Sequence, residues 1–127
     1  VRFLLDTNAL IFVMAAPGRL TPSTRATLAT TPGTRASVIS LWEIATKNAI
    51  GKLALRAQDV AARLAPANIA LLPVSGEHAA AYAALPPPAA HRDPFDRMLV
   101  AQALHEGLTL VTSDATLAAY GVPVLPA

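Results

Sequence analysis

Four carboxylates stand where a strand or loop gives way to a helix: Asp6 in FLLDTNALI, Glu43 in VISLWEIATK, Asp96 in HRDPFDRMLVAQA and Asp114 in LTLVTSDATL. The chain has only eight acidic residues among 127, so half of them occupy one kind of position. Carboxylates gathered at one place repel each other unless a cation is present. Magnesium and manganese take oxygen ligands, need only one or two carboxylates directly and fill the remaining positions with water. Such an ion acidifies a bound water and stabilises charge on a phosphate, which is the chemistry of phosphodiester hydrolysis.

Each acid also has a plain structural explanation. Ser40-Leu41-Trp42-Glu43 reads as a capping box, with the serine as cap and the glutamate reaching back. Asp93 precedes Pro94 as an N-cap would, three residues before Asp96. Asp114 suits the start of a short helix, and Asp6 the start of a longer one, where Thr7 would serve as well. Singly, capping is sufficient for each. Jointly it is not, because a cap does not require an acid. The helix that opens at Pro22 follows Thr21 and uses none. Of Asp93 and Asp96, position gives Asp93 the cap of the helix and leaves open which of the two joins the other acids. Arg92 and Arg97 flank that pair and are candidates to meet phosphate or balance the acids. His91 and His105 show no ligand spacing and are set aside.

The elements that must position these side chains follow from periodicity and breakers. Residues 2–5, 35–39, 69–74, 108–112 and 122–125 are short apolar runs and read as strands, with Pro73 marking an end or an edge. Helices are expected over 8–16, from Pro22 to about Thr31, from Ser40 to Ile50 with Gly51 closing it, and over 57–64, 76–85, 94–106 and 114–120. Pro86-Pro87-Pro88 reads as a rigid connector. Strands alternating with helices make a parallel sheet covered on both faces, here a three-layer α/β/α domain over residues 1–127 with four to five strands. Right-handed crossovers bring the carboxyl ends of the strands to one rim, where open α/β sheets bind ligands. Asp6 and Asp114 follow strands directly, and Glu43 lies one helical turn past the 35–39 run, so all three are expected on that rim.

Composition sets the outer limits. Apolar residues make up 54%, enough for a full core, and mean hydropathy is +0.45. There is no cysteine, which excludes disulfides and thiolate zinc sites and fits a reducing cytoplasm. No window reads as a signal peptide or a membrane span. The net charge is +2, but with four acids in one pocket the remaining surface carries ten basic side chains against four acidic ones. An acidic pocket in a basic surround suits a polyanion that is held and then cut, but charge count alone fits an ordinary solvated surface better. The high hydropathy either comes from the many alanines or marks helix faces for protein contact, with Leu10, Ile11, Val13 and Met14 on the first helix and Trp42, Ile44 and Ile50 on the third as candidates.

Four blocks, LLDTNALI, SLWEIATKNAIGKL, DPFDRMLVAQAL and LVTSD, run in this order along nearly the whole chain. In this the chain resembles PIN-domain nucleases, and among them the VapC-type toxins of bacterial toxin–antitoxin pairs. The resemblance implies that Asp6, Glu43, Asp96 and Asp114 form the active site and hold Mg2+ or Mn2+, with Thr7, Asn8 and Ser113 as supporting polar neighbours. It further implies a metal-dependent endoribonuclease acting on RNA, a homodimer, and inhibition by a small cognate antitoxin. A haloacid-dehalogenase-type phosphatase also places an Asp after its first strand, but needs a second acid where this chain has Asn8. A receiver domain needs a lysine on a late strand, and neither LTLVT nor VPVL has one. A catalytically inactive PIN-like RNA-binding module is the remaining alternative.

Overall fold

The computed structural model describes residues 1–87 and 93–127. Five strands form one sheet: β1 (Phe3–Leu5), β2 (Arg35–Ser37), β3 (Ala70–Leu72), β4 (Thr109–Thr112) and β5 (Val124–Pro126). They are all parallel, in the order β3-β2-β1-β4-β5. The helices are α1 (Thr7–Ala15), α2 (Pro22–Thr30), α3 (Val38–Ala49), α4 (Ala57–Leu64), α5 (Gly76–Ala83) and α6 (Pro94–Glu106), with 3-10 turns at Pro17–Arg19, Ala65–Ala67 and Ala115–Tyr120. The three-layer parallel architecture expected from the alternation of elements is the one observed.

The strands are short, and β1 is buried at all three of its residues, as a strand covered on both faces must be. Its side chains divide by parity. Phe3 and Leu5 join Ala9, Leu10, Met14, Ile44, Val60 and Val111 in one core, under α1, α3 and α4. Leu4 joins Leu99, Val100, Ala103, Leu110 and Leu117 in the other, under α6 and the last 3-10 turn. The chain lays down β1, β2 and β3 in one direction, then crosses back to place β4 beside β1. The strand order therefore reverses between β1 and β4, and the crevice above their carboxyl ends is where such sheets take ligands.

One boundary differs from the periodicity and changes the local chemistry. The run 35–39 is not all strand: β2 stops at Ser37 and α3 begins at Val38. Ser37 is the N-cap, its hydroxyl accepting from the Ile39 N–H at 3.0 Å and donating to Gln102 Oε1 on α6. Val38 and Ile39 favour strand locally, but a cap anchored to a neighbouring helix overrides that preference. The Ser40–Glu43 capping box consequently does not form: Ser40 and Glu43 lie inside the helix and both are buried. At the other end Gly51 has φ +76, and its N–H and that of Lys52 bond back to Asn48 and Lys47, so the expected glycine stop holds. The first helix is also less open than its sequence suggests. Leu10 and Met14 are buried and Ile11 and Val13 pack on the same core. On α3, Ile44 is fully buried, whereas Trp42 and Ile50 are 62% and 63% exposed. Among the described residues no helix is long and apolar enough to cross a membrane.

Candidate active site

Asp6 is the N-cap of α1. Its Oδ1 accepts from the Ala9 N–H at 2.8 Å, while its own N–H donates to the Val111 carbonyl on β4 at 2.9 Å. The cap and the site are thus the same residue: capping fixes the carboxylate at the β1–β4 crevice. Asp6 is 4% exposed. Burial pushes its carboxyl up from 3.8 to about 6. The charges of Asp96 and Glu43 push the same way, whereas hydrogen bonds from the Thr112 hydroxyl and the Ala9 N–H hold it back. Two of the other expected acids, Asp96 on α6 and Glu43 on α3, thus act on Asp6.

A hydroxyl pair brings Glu43 there. Thr7, next to Asp6, donates to Ser40 Oγ at 3.1 Å. Glu43 follows Ser40 by three residues on α3, so it shares that face of the helix. Its Oε2 takes an ion pair from Lys47 at 3.0 Å. Its Oε1 is buried and has no hydrogen-bond partner among the described residues. A buried carboxylate oxygen left so costs roughly 1–3 kcal/mol. Asp96 is half-buried in the first turn of α6, whose N-cap is Asp93: Oδ1 of Asp93 accepts from the N–H groups of Phe95 at 2.8 Å and Asp96 at 3.3 Å. Asp93 is thus the cap of its helix, as its place before Pro94 suggests.

Asp114 approaches from β4. Its Oδ1 accepts from the Thr116 N–H at 3.0 Å and from the Thr116 hydroxyl, capping the last 3-10 turn. Its N–H donates to Thr112 Oγ1 at 3.0 Å. Thr112 is the hinge of this corner, since the same hydroxyl bonds to Asp6. The sequence reading named Ser113, which is exposed, and passed over Thr112 and Ser40. No local pattern marks Thr112: it ends β4 beside the strand that delivers Asp6, a pairing that only the fold supplies. Asn8 is exposed on the first turn of α1, outside Asp6.

Arg97 is placed differently from what a phosphate contact requires. It is 6% exposed, and its guanidinium donates to Tyr120 Oη at 2.8 Å and to the Pro86 carbonyl at 3.1 Å, between the rings of Tyr82 and Tyr120. It ties α6 to α5 and to the last turn. Arg92 and His91 lie outside the described residues.

As they are turned here, no three His, Cys, Asp or Glu side chains among the described residues converge as a ligand set for a metal ion. The donor chemistry still fits a hard divalent cation. The groups are oxygen-only, one buried Oε1 lacks a partner, and the most buried acid is strained toward protonation. A cation relieves each of these conditions.

The model of the family described as "PIN domain" matches residues 3–123. The chain belongs to the PIN domain family. That assignment sets aside the phosphatase and receiver readings. Solved structures agree on the fold of this PIN domain. It is similar to a chain of VapBC2 from Rickettsia felis bound to a promoter DNA fragment, with TM-score 0.75, 16% identity and 98% of each chain covered. It is also similar to a chain of DNA-bound VapBC from Salmonella typhimurium, with TM-score 0.71 and 22% identity over 98% of this chain and 97% of that one. FitAcB from Neisseria gonorrhoeae gives TM-score 0.65 and 26% identity over 98% and 96%. No curated protein sequence matches the chain.

Proposed function

We propose that this PIN domain is a metal-dependent endoribonuclease and the toxin, of VapC type, of a toxin–antitoxin pair. The observation that supports the reading best is the buried Asp6 carboxylate at the carboxyl ends of β1 and β4, on which the charges of Asp96 and Glu43 act. Family membership supports the nuclease half. The toxin half rests on similar structures described as VapBC, FitAcB and a toxin–antitoxin complex from Klebsiella pneumoniae.

Asp6 and Asp96 are the residues that would hold Mg2+ or Mn2+ directly, with Glu43 and Asp114 completing its surroundings. The ion, when bound, supplies Lewis acidity at the phosphate and a more acidic water. The chain does the rest by positioning. The Ala9 N–H and the Thr112 hydroxyl fix the Asp6 carboxylate. The Thr7–Ser40 bond holds α1 against α3, the helix that carries Glu43. Asn8, exposed in the first turn of α1, would meet water or a phosphate oxygen with its amide. The basic excess outside the site holds the RNA backbone.

The test is cleavage of structured and unstructured RNAs by purified protein with magnesium, manganese or excess chelator. Cutting is expected with either metal and none in chelator. Full activity in chelator overturns the metal-dependent reading. RNA that is bound but never cut, with any metal, identifies an inactive RNA-binding module instead.

A further inference from the structure

The helices that carry Glu43 and Asp96 also line an apolar pit that the proposed chemistry does not use. Ile39, Trp42, Tyr82, Pro94, Phe95 and Met98 line a volume of about 210 Å3 at the meeting of α3, α5 and α6. Trp42 and Phe95 meet edge to face, ring centroids 5.3 Å apart at 80°. Trp42 nevertheless remains 62% exposed, so most of the indole is unpacked. The same turns of α3 and α6 carry both the pit and two of the acids: Trp42 precedes Glu43, and Phe95 precedes Asp96. Both of those acids act electrostatically on Asp6.

Size and lining decide among occupants. Pockets for whole drug-sized molecules run from roughly 300 to 1,000 Å3, so this one takes a single ring system. Aromatic walls next to a phosphate-cutting centre suit a flat ring attached to that phosphate. Single-stranded nucleic acids are held in this way, by bases stacked on aromatic side chains beside a backbone track. A helix from a protein partner needs an extended groove, and a stable protein interface buries about 800 Å2 on each side. We infer that this pit seats one base of the RNA strand, next to the phosphate that is cut, with Trp42 as its stacking platform. Trp42 is then a specificity-determining residue. The inference rests on the ribonuclease reading and adds a base-sized register to it.

Trp42 is the only tryptophan in the chain, so its emission reports on the pit directly. Uridine and adenosine decanucleotides are titrated into the protein with calcium in place of magnesium, and emission is followed. Saturable quenching is expected. Trp42→Ala should weaken binding by roughly fivefold to a hundredfold, and Trp42→Phe should restore most of it. With magnesium, an abasic site at one position beside the cut should reproduce the loss, and Trp42→Ala should then add nothing on that substrate. Wild-type protein that cuts RNA while its emission ignores bound oligonucleotide overturns the inference. So does Trp42→Ala that folds normally by circular dichroism and binds as wild type. Emission that shifts with protein concentration in the absence of RNA assigns the pit to a second copy and also overturns it. No cutting of any RNA by the wild type is a different failure, that of the ribonuclease reading itself.

Discussion

Asp6 carries a role and a burden at the same atoms. Its folded pKa of about 6 stands above the ordinary 3.8, so protonation stabilises the metal-free fold. The contribution is fully present below about 3.8 and is lost as pH rises through about 6. At neutral pH the ionised carboxylate therefore costs of order 2–3 kcal/mol. Asp6→Asn removes that charge and keeps an N-cap as good as aspartate. Metal-free Asp6→Asn should melt no lower than wild type at pH 7, and the stability gain of wild type on acidification between about pH 6 and 4 should be missing from the variant. Cleavage should be abolished. A large fall in melting temperature at pH 7 would instead make Asp6 a cap and little else. The neighbours in α6 separate the same way. Asp96→Asn should lose at least roughly a hundredfold in activity along with metal binding, since losing even an outer contact to a metal ligand costs 10–100-fold. Asp93→Asn should keep most of both, because it changes only the cap that serves Phe95 and Asp96. Calorimetry with Mn2+ and single-turnover cleavage read both effects, and equal losses would show that Asp93 belongs to the site.

At the scale of elements, single side chains hold the sheet rim and its helices in register. Thr112 at the end of β4 bonds to Asp6 at the end of β1 and accepts the Asp114 N–H. Thr112→Val should cost about 1–3 kcal/mol. It also removes a group that lowers the Asp6 pKa, so the acid limb of the pH–rate profile should move to higher pH. An unmoved limb with only lost stability would reduce Thr112 to a structural role. On the other side of β2, Gln102 of α6 is fully buried and serves three elements. It accepts from Ser37, donates to the Pro73 carbonyl and faces His78 Nδ1 at 3.3 Å. Gln102→Leu strands the Ser37 hydroxyl and the Pro73 carbonyl in the interior. A loss of roughly 2–4 kcal/mol by urea denaturation is expected, with α3 affected through its cap.

Over the whole molecule, the five-stranded sheet consumes less of the apolar surface than the chain supplies. Ile50 on α3, Leu71 and Val74 around the edge strand β3, and Leu104 on α6 remain exposed. Together with the toxin reading, this leads us to expect a homodimer, silenced by a small protein encoded beside it and toxic when expressed alone. Sedimentation at high micromolar concentration and growth on induction, with and without the neighbouring gene, check the two halves. A monomer and harmless expression would count against both.

The elements themselves were legible in the sequence because local physics fixes them. Continuous apolar runs of three to five residues make strands buried on both faces, and Thr21, Asp93 and Gly51 mark helix ends by capping chemistry that needs no partner from elsewhere. Asp6 and Asp114 at strand-to-helix junctions were legible for the same reason, since junctions are read from local pattern and a parallel sheet sends its carboxyl ends to one rim. What the tertiary structure alone decided is which side chains complete and orient that rim. Ser37 became a cap because Gln102, 65 residues away, receives its hydroxyl. Arg97 turned inward because Tyr82 and Tyr120 offered it rings and a hydroxyl that no spacing predicts. Thr112 and Ser40 entered the site through partners on other elements, Asp6 and Thr7. Local propensity depends on neighbours in sequence, whereas hydrogen bonds between buried polar groups depend on neighbours in space, and these exist only once the sheet has chosen its strand order.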